Sequence, residues 1–270
     1  MAQVDLHLND GLHPDSKTAQ VAPPAVRTIS RSDLRDALRK GLEDFSAAPT
    51  HVILLGLMYP LIGFVLFRAT FQYNLLPLLF PLVAGFAILG PFAAIGLYEI
   101  SRLREQGRSV TWRNAFEVVH APGFKSLLML GAILLALFVL WLGAAHLIYA
   151  AIFGDAEPKT LGAFIDQIFE TRSGALLLVV GHVVGAAFAG VAFAISVVSF
   201  PLLLDRNVDV VTAVGTSLRA IAANPRVMAE WALLVAALLI AGSMPLLLGL
   251  AAVVPVLGHA TWHLYRRVVV

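Results

Sequence analysis

From residue 52 onward the chain alternates long apolar runs with short polar turns. A helix needs about 20 mostly apolar residues to cross a bilayer, and the runs divide into spans at about 52–70, 75–98, 126–152 and 174–204. Pro77, Pro81 and Pro91 fall within the second, which is therefore expected to kink where the freed carbonyls find other partners. The last apolar stretch, Val227 to Tyr265, reads either as one overlong span with a trailing helix or as two spans, about 227–242 and 245–265, turning at Gly242-Ser243-Met244-Pro245.

Upstream the pattern differs. Residues 1–31 scatter Asp, Asn, Pro and Ser without apolar periodicity and predict a disordered cytoplasmic tail; Asp5, Asp10 and Asp15 interrupt any secretory signal. From Ser32, read as an N-cap, Leu34, Ala37, Leu38, Leu42 and Phe45 recur at helical spacing, with Asp33, Arg35, Asp36, Arg39, Lys40, Glu43 and Asp44 opposite. That predicts an amphipathic helix packed beneath a membrane domain that fills 32–270. Leu161, Phe164, Ile165, Ile168 and Phe169 predict a second short helix, on the outer surface, within the loop 154–173.

Composition removes the soluble alternatives. The chain is 59% hydrophobic and only 13% charged, where a soluble domain carries about 25% charged residues. With no cysteine, disulfides, thiolate metal sites and cysteine nucleophiles are excluded. The formal charge of +2 conceals an asymmetry. Arg27, Arg31, Arg35, Arg39 and Lys40, then Arg102, Arg104, Arg108, Arg113 and Lys125, then Arg206, Arg219 and Arg226 fall on one side of the spans. The other side holds Arg68, Lys159 and Arg172 beside Asp155, Glu157, Asp166 and Glu170. Cytoplasmic loops retain Lys and Arg, so the first side is inside. Placing Arg266 and Arg267 inside as well requires six spans. The expected fold is an all-α polytopic bundle of six spans with both termini cytoplasmic.

A repeat runs through this plan. Ala37 to Pro49 precedes the first span and Ala213 to Pro225 the fifth, with the same spacing; Asn114 to Pro122 is a shorter relative before the third. Val211, Val214, Leu218 and Ile221 mark the apolar face of the last copy. Pro91 and Pro255 are each followed eleven residues later by an arginine, Arg102 and Arg266. The unit reads as an amphipathic helix plus a two-span hairpin, repeated three times in parallel, an arrangement that occurs in transporters.

Several stretches resemble a bacterial family of predicted integral membrane proteins classed as a domain of unknown function. They are Val26-Arg27-Thr28-Ile29, Leu57 to Gly63, Gly90 to Glu99, Ser199 to Arg206 and Leu257 to Tyr265. The resemblance implies a multi-span protein of the bacterial inner membrane and brings no catalytic residues. Some members carry a cytochrome c oxidase subunit label, but a haem-copper core needs more intramembrane histidines than the four in these spans.

Ionisable groups within a membrane are costly and are the first functional candidates. His146 and His182, towards the outer side, would make a haem or metal pair if their helices brought them together. On the inner side Tyr98 and Glu99 end the second span, Asp205 the fourth, Glu230 opens the fifth, and His259 and His263 share a face at i and i+4. Convergence there would build a proton relay or cation vestibule. The simpler reading is a polar boundary where helices leave the lipid, with Trp231, Trp262, Tyr98 and Tyr265 as an aromatic belt. Gly181 and Gly185 form a GxxxG pattern that Gly190 extends, a surface for close packing within the chain or against a second copy or other membrane partner. Hydrolase, zinc-protease and nucleotide-binding motifs are absent, and the basic residues follow topology rather than nucleic acid. The expectation is a membrane protein in contact with the lipid bilayer, non-enzymatic, without cofactor or metal, structural or assembly-related; a small-solute transporter or channel, or a haem- or metal-binding respiratory subunit, are the alternatives.

Overall fold

The computed structural model describes residues 24–47, 57, 61–65, 68, 70, 76–121, 123–154, 158, 160–245 and 247–270. Among these the regular elements are all helical. Helix α1 (Arg31–Ala47) is followed by a segmented helix α2 over Leu76–Glu105, a 3-10 helix at Trp112–His120, and α3 (Phe124–Phe153). Then come α4 (Leu161–Phe169), α5 (Arg172–Ser196), α6 (Ser199–Asp205), α7 (Val210–Ala223), α8 (Pro225–Ser243) and α9 (Leu250–Val268).

Among the described residues four helices are long and apolar enough to cross a membrane: α2, α3, α5 continued by α6, and α8. The expected span at 52–70 lies mostly outside the described residues. The expected span at 245–265 corresponds to α9, which carries His259, His263, Arg266 and Arg267 and is not among the four.

The prolines segment α2 as anticipated. A turn of 3-10 helix at Leu76–Leu78 opens it, a second at Ala87–Leu89 separates Leu79–Phe86 from Gly90–Ala93, and a turn at Ala94 precedes Ile95–Glu105. Pro91 sits in the first turn of its piece, where no backbone donor is missed. The Pro81 carbonyl accepts a 2.9 Å hydrogen bond from the Trp141 indole of α3. Thr160 caps α4 through Ala163 and Thr171 caps α5 through Gly174. A Cβ at Gly174 would lie 2.0 Å from the Ile168 carbonyl oxygen, so only glycine permits so tight a corner between α4 and α5.

Two amphipathic helices sit rotated from the sequence expectation. In α1 the buried face is Leu34, Ala37, Gly41 and Asp44, while Leu42 is 54% exposed. Its cap is Ser30 rather than Ser32: the Ser30 amide donates to Asp33 Oδ2 and the Asp33 amide to the Ser30 carbonyl. In α7 the buried residues are Val210, Ala213, Thr216, Ser217 and Ala220, whereas Val211 and Leu218 point outward.

The core gathers at one end, here termed the base. Leu127, Leu130 and Leu134 of α3, Phe200 and Leu202–Leu204 of α6, and Trp231 of α8 are buried there with Trp262 and Tyr265 of α9 and Tyr98 of α2. Trp231, Trp262, Tyr98 and Tyr265 are thus interior residues and not a lipid-facing belt. Both described ends of the chain reach this base. Val26 and Val269 form an antiparallel bridge, the Arg27 amide donates to Val268 O at 3.0 Å, and the Val270 amide to Ala25 O at 3.1 Å.

Candidate functional site

At the base, α1 lies along the second half of α9, and Gly41 is what admits it. A Cβ there would meet the Ala260 amide nitrogen at 2.7 Å and its Cα at 2.8 Å, so no other residue allows the two backbones to approach as they do. One turn further along α1, Asp44 enters the contact between α1, α2 and α9, and its side chain is only 9% exposed. A buried carboxylate needs its lone pairs occupied. Arg104 Nε of α2 donates to Oδ1 at 2.8 Å; Ser101 Oγ of α2 donates to Oδ2 at 2.6 Å; His263 Nε2 of α9 meets Oδ2 at 2.8 Å.

The proton order follows from counting hydrogens. Ser101 has a single hydroxyl hydrogen and gives it to Asp44. The 2.8 Å contact between Ser101 Oγ and His259 Nδ1 is therefore made by an N–H on the imidazole. His259 Nε2 is left without a hydrogen in the neutral ring; it is buried and makes no hydrogen bond of normal geometry. Burial alone pushes the Asp44 carboxyl up, but the bonds from His263 and Ser101 and the neighbouring imidazoles outweigh it and hold the group at about 2. The cluster opens on a crevice of about 220 Å³ lined by Lys40, Glu43, Asp44, Arg104, Glu105 and His263.

Further ties lock the same surfaces together. Tyr265 donates to Asp205 at 2.6 Å, and Arg266 lies 3.2 Å from Glu105 and 3.5 Å from Asp205. Arg267 binds Asp36 and stands 3.7 Å from Asp33. Asn224, between α7 and α8, accepts from the Ile29 amide at 2.7 Å and donates to the Arg27 carbonyl at 3.1 Å.

Of the residues singled out from sequence, only His259 and His263 meet in the cluster. Glu99 is buried and held by Arg102 of its own helix, at 2.7 and 2.8 Å. Glu230 is held by Arg31 of α1, an exposed pair that solvent screens. His146 is exposed on α3. His182 is exposed on α5, its Nδ1 2.6 Å from the Leu178 carbonyl of its own helix and its ring tilted against Phe80. Among the described residues no group of three or more His, Cys, Asp or Glu side chains is placed to hold a metal. Gly185 packs on Trp141, an added Cβ lying 3.0 Å from the indole, whereas Gly181 and Gly190 face open space.

Sequence reasoning placed Asp44 on a polar face and gave no part to Ser101 or Arg104. A signal was present: Leu34, Ala37, Gly41 and Asp44 follow 3-4-3 spacing, and the small residues among them mark the side on which another backbone comes close.

No curated protein and no solved structure matches the chain. Residues 79–205 match the family described as Predicted integral membrane protein (DUF2189), a stretch reaching from within α2 to the end of α6. With four apolar helices of spanning length among the described residues and that match, the chain is an integral membrane protein of unknown function, similar over residues 79–205 to the DUF2189 family.

Proposed function

We propose that the chain is a six-span protein of the bacterial inner membrane, with both ends cytoplasmic, that serves as a structural or assembly-related component rather than as an enzyme. One observation carries this reading: the acidic side chains around the α1–α9 contact are each taken up by a neighbouring group, and Asp44 ties α1 to α2 and α9. Asp44 takes Arg104, Ser101 and His263; Glu99 takes Arg102; Glu230 takes Arg31; Asp205 takes Tyr265. Such a closed set fixes geometry, as a scaffold requires. The meeting of Val26 with Val269 supports an even number of crossings between them, and the concentration of Arg and Lys at that end supports its cytoplasmic side. An amphipathic helix before each proposed hairpin, α1, Trp112–His120 and α7, supports the threefold repeat.

Purification in a gentle detergent followed by mass spectrometry should recover a stoichiometric membrane partner, and the protein alone in liposomes should pass neither protons nor small solutes. Substrate-dependent flux or turnover by the purified chain would overturn the reading. A reporter fused after Val270 should be active in the cytoplasm; activity only outside would remove the six-span topology.

The bare nitrogen of His259 favours a second reading, a proton-handling membrane protein. Its Nδ1–H, the Ser101 hydroxyl and Asp44 form a hydrogen-bonded line to the crevice. A proton flux in liposomes that Ser101→Ala abolishes would favour this reading over the scaffold.

A further inference from the structure

Two elements at the base are amphipathic the wrong way round for a water-facing helix. The outward stripe of α7 is Val211, Leu218 and Ala222, with Val211 81% exposed. In the 3-10 helix Trp112–His120 the eclipsed positions Phe116 and Val119 are exposed, Phe116 at 58%. The water-facing pattern is visible at the same end: α1 turns Arg35, Arg39, Lys40 and Glu43 outward.

The rest of the fold fixes where these apolar stripes lie. Ser217 of α7 donates to the Ala194 carbonyl of α5 at 2.7 Å, and α7 ends at Asn224, which is bonded to the extended segment around Arg27. The 3-10 helix ends where α3 begins. Both elements therefore sit where apolar helices enter the base, and those helices expose Leu128 and Met129 of α3, Val191 of α5 and Leu233 of α8. Three exposed cations flank them: Lys125 in the first turn of α3, Arg219 on α7 and Arg226 in the first turn of α8. Asp209 is turned to its own helix as the cap of Thr212, and Glu117 binds Asn114 and lies 3.9 Å from Arg108.

We propose that α7 and the helix Trp112–His120 lie in the headgroup layer on the base side and form a binding surface for anionic phospholipid, the apolar stripes among acyl chains and Lys125, Arg219 and Arg226 on the phosphates. An apolar edge bordered by cations is the chemistry of an interfacial anchor, and the cations set the preference for anionic over zwitterionic headgroups. The proposal is independent of the scaffold reading; it requires only the bilayer.

The absence of native cysteine makes the test clean. Full-length protein with a fluorophore on Leu218→Cys or Phe116→Cys, in nanodiscs of phosphatidylethanolamine and phosphatidylglycerol, should be quenched by brominated acyl chains and shielded from iodide; Leu42→Cys should show the reverse. Native mass spectrometry of protein released from equimolar mixtures should retain phosphatidylglycerol over phosphatidylethanolamine. That preference should fall roughly fivefold per cation replaced in Lys125→Gln, Arg219→Gln and Arg226→Gln. Iodide access at both labelled positions, crosslinking of Leu218→Cys between two copies, or equal retention of the two lipids by the wild type would each overturn the proposal. The labelled and wild-type arms decide it even if the combined glutamine variant does not fold.

Discussion

Helices α1 and α7 begin from the same sequence plan and finish inside out from each other. Each precedes a proline that leads into an apolar run, and each reaches that proline with the same spacing from an alanine. Yet α1 buries a carboxylate and exposes charge, while α7 buries Thr216 and Ser217 and exposes Val211 and Leu218. The difference teaches that amphipathic periodicity gives the axis of a helix but not its rotation. Small residues set which side another backbone approaches, and the medium beyond sets the opposite side. For α1 that medium is water; for α7, on our proposal, it is the leaflet.

The largest expected break in this comparison is at Gly41. Gly41→Val would push side-chain atoms into the Ala260 backbone and cost about 3 kcal/mol, the upper end for overpacking. In thermal unfolding in nanodiscs α1 should come loose, whereas Gly215→Val on α7, where an added Cβ meets only the tip of Arg219 at 3.9 Å, should leave the midpoint nearly unchanged. Next is Asp44→Asn, which should destabilise by about 2 kcal/mol because Arg104 loses its buried partner. Since Asp44 is held below its unfolded value, its contribution is complete above about pH 4 and disappears as pH falls towards about 2. A wild-type stability curve lacking that acid limb, or a limb no smaller in Asp44→Asn than in the wild type, would contradict the assignment, since Asp33, Asp36, Asp209 and Glu230 are also held low. Smaller again, Leu218→Lys should cost about 1 kcal/mol in nanodiscs, measured by the same melt. Leu42→Lys, on the water side of α1, should change stability by less than about 0.5 kcal/mol; if the two lysines behaved alike, the contrast between the helices would fail.

Much of the fold was readable because lipid imposes a simple rule of length and polarity. The run 126–152 became α3 with only small extensions, and the prolines of α2 broke the helix where expected. The short helix expected within the loop 154–173 also formed, with Ile168 buried and Leu161, Ile165 and Phe169 exposed. What periodicity concealed was lateral contact. Asp44, Ser101 and Arg104 come from distant parts of the chain, and each taken alone reads as an ordinary polar residue near a helix end. The pair His259 and His263 was legible as a shared face, but the carboxylate that His263 meets belongs to the first helix. Trp262 and Tyr265 were misread as boundary markers for the same reason: α1, α2 and α6 cover them.

The clasp between α1 and α9 also sets an order of events during synthesis. Helix α1 leaves the ribosome roughly 200 residues ahead of its partner surface on α9. Until that helix is released, Asp44 has neither His263 nor the shelter of the packed base, and the segment around Val26 has no Val269 to pair with. Closing the base therefore waits for α9, and a chain cut short before residue 250 would insert its apolar helices while leaving α1 unclasped.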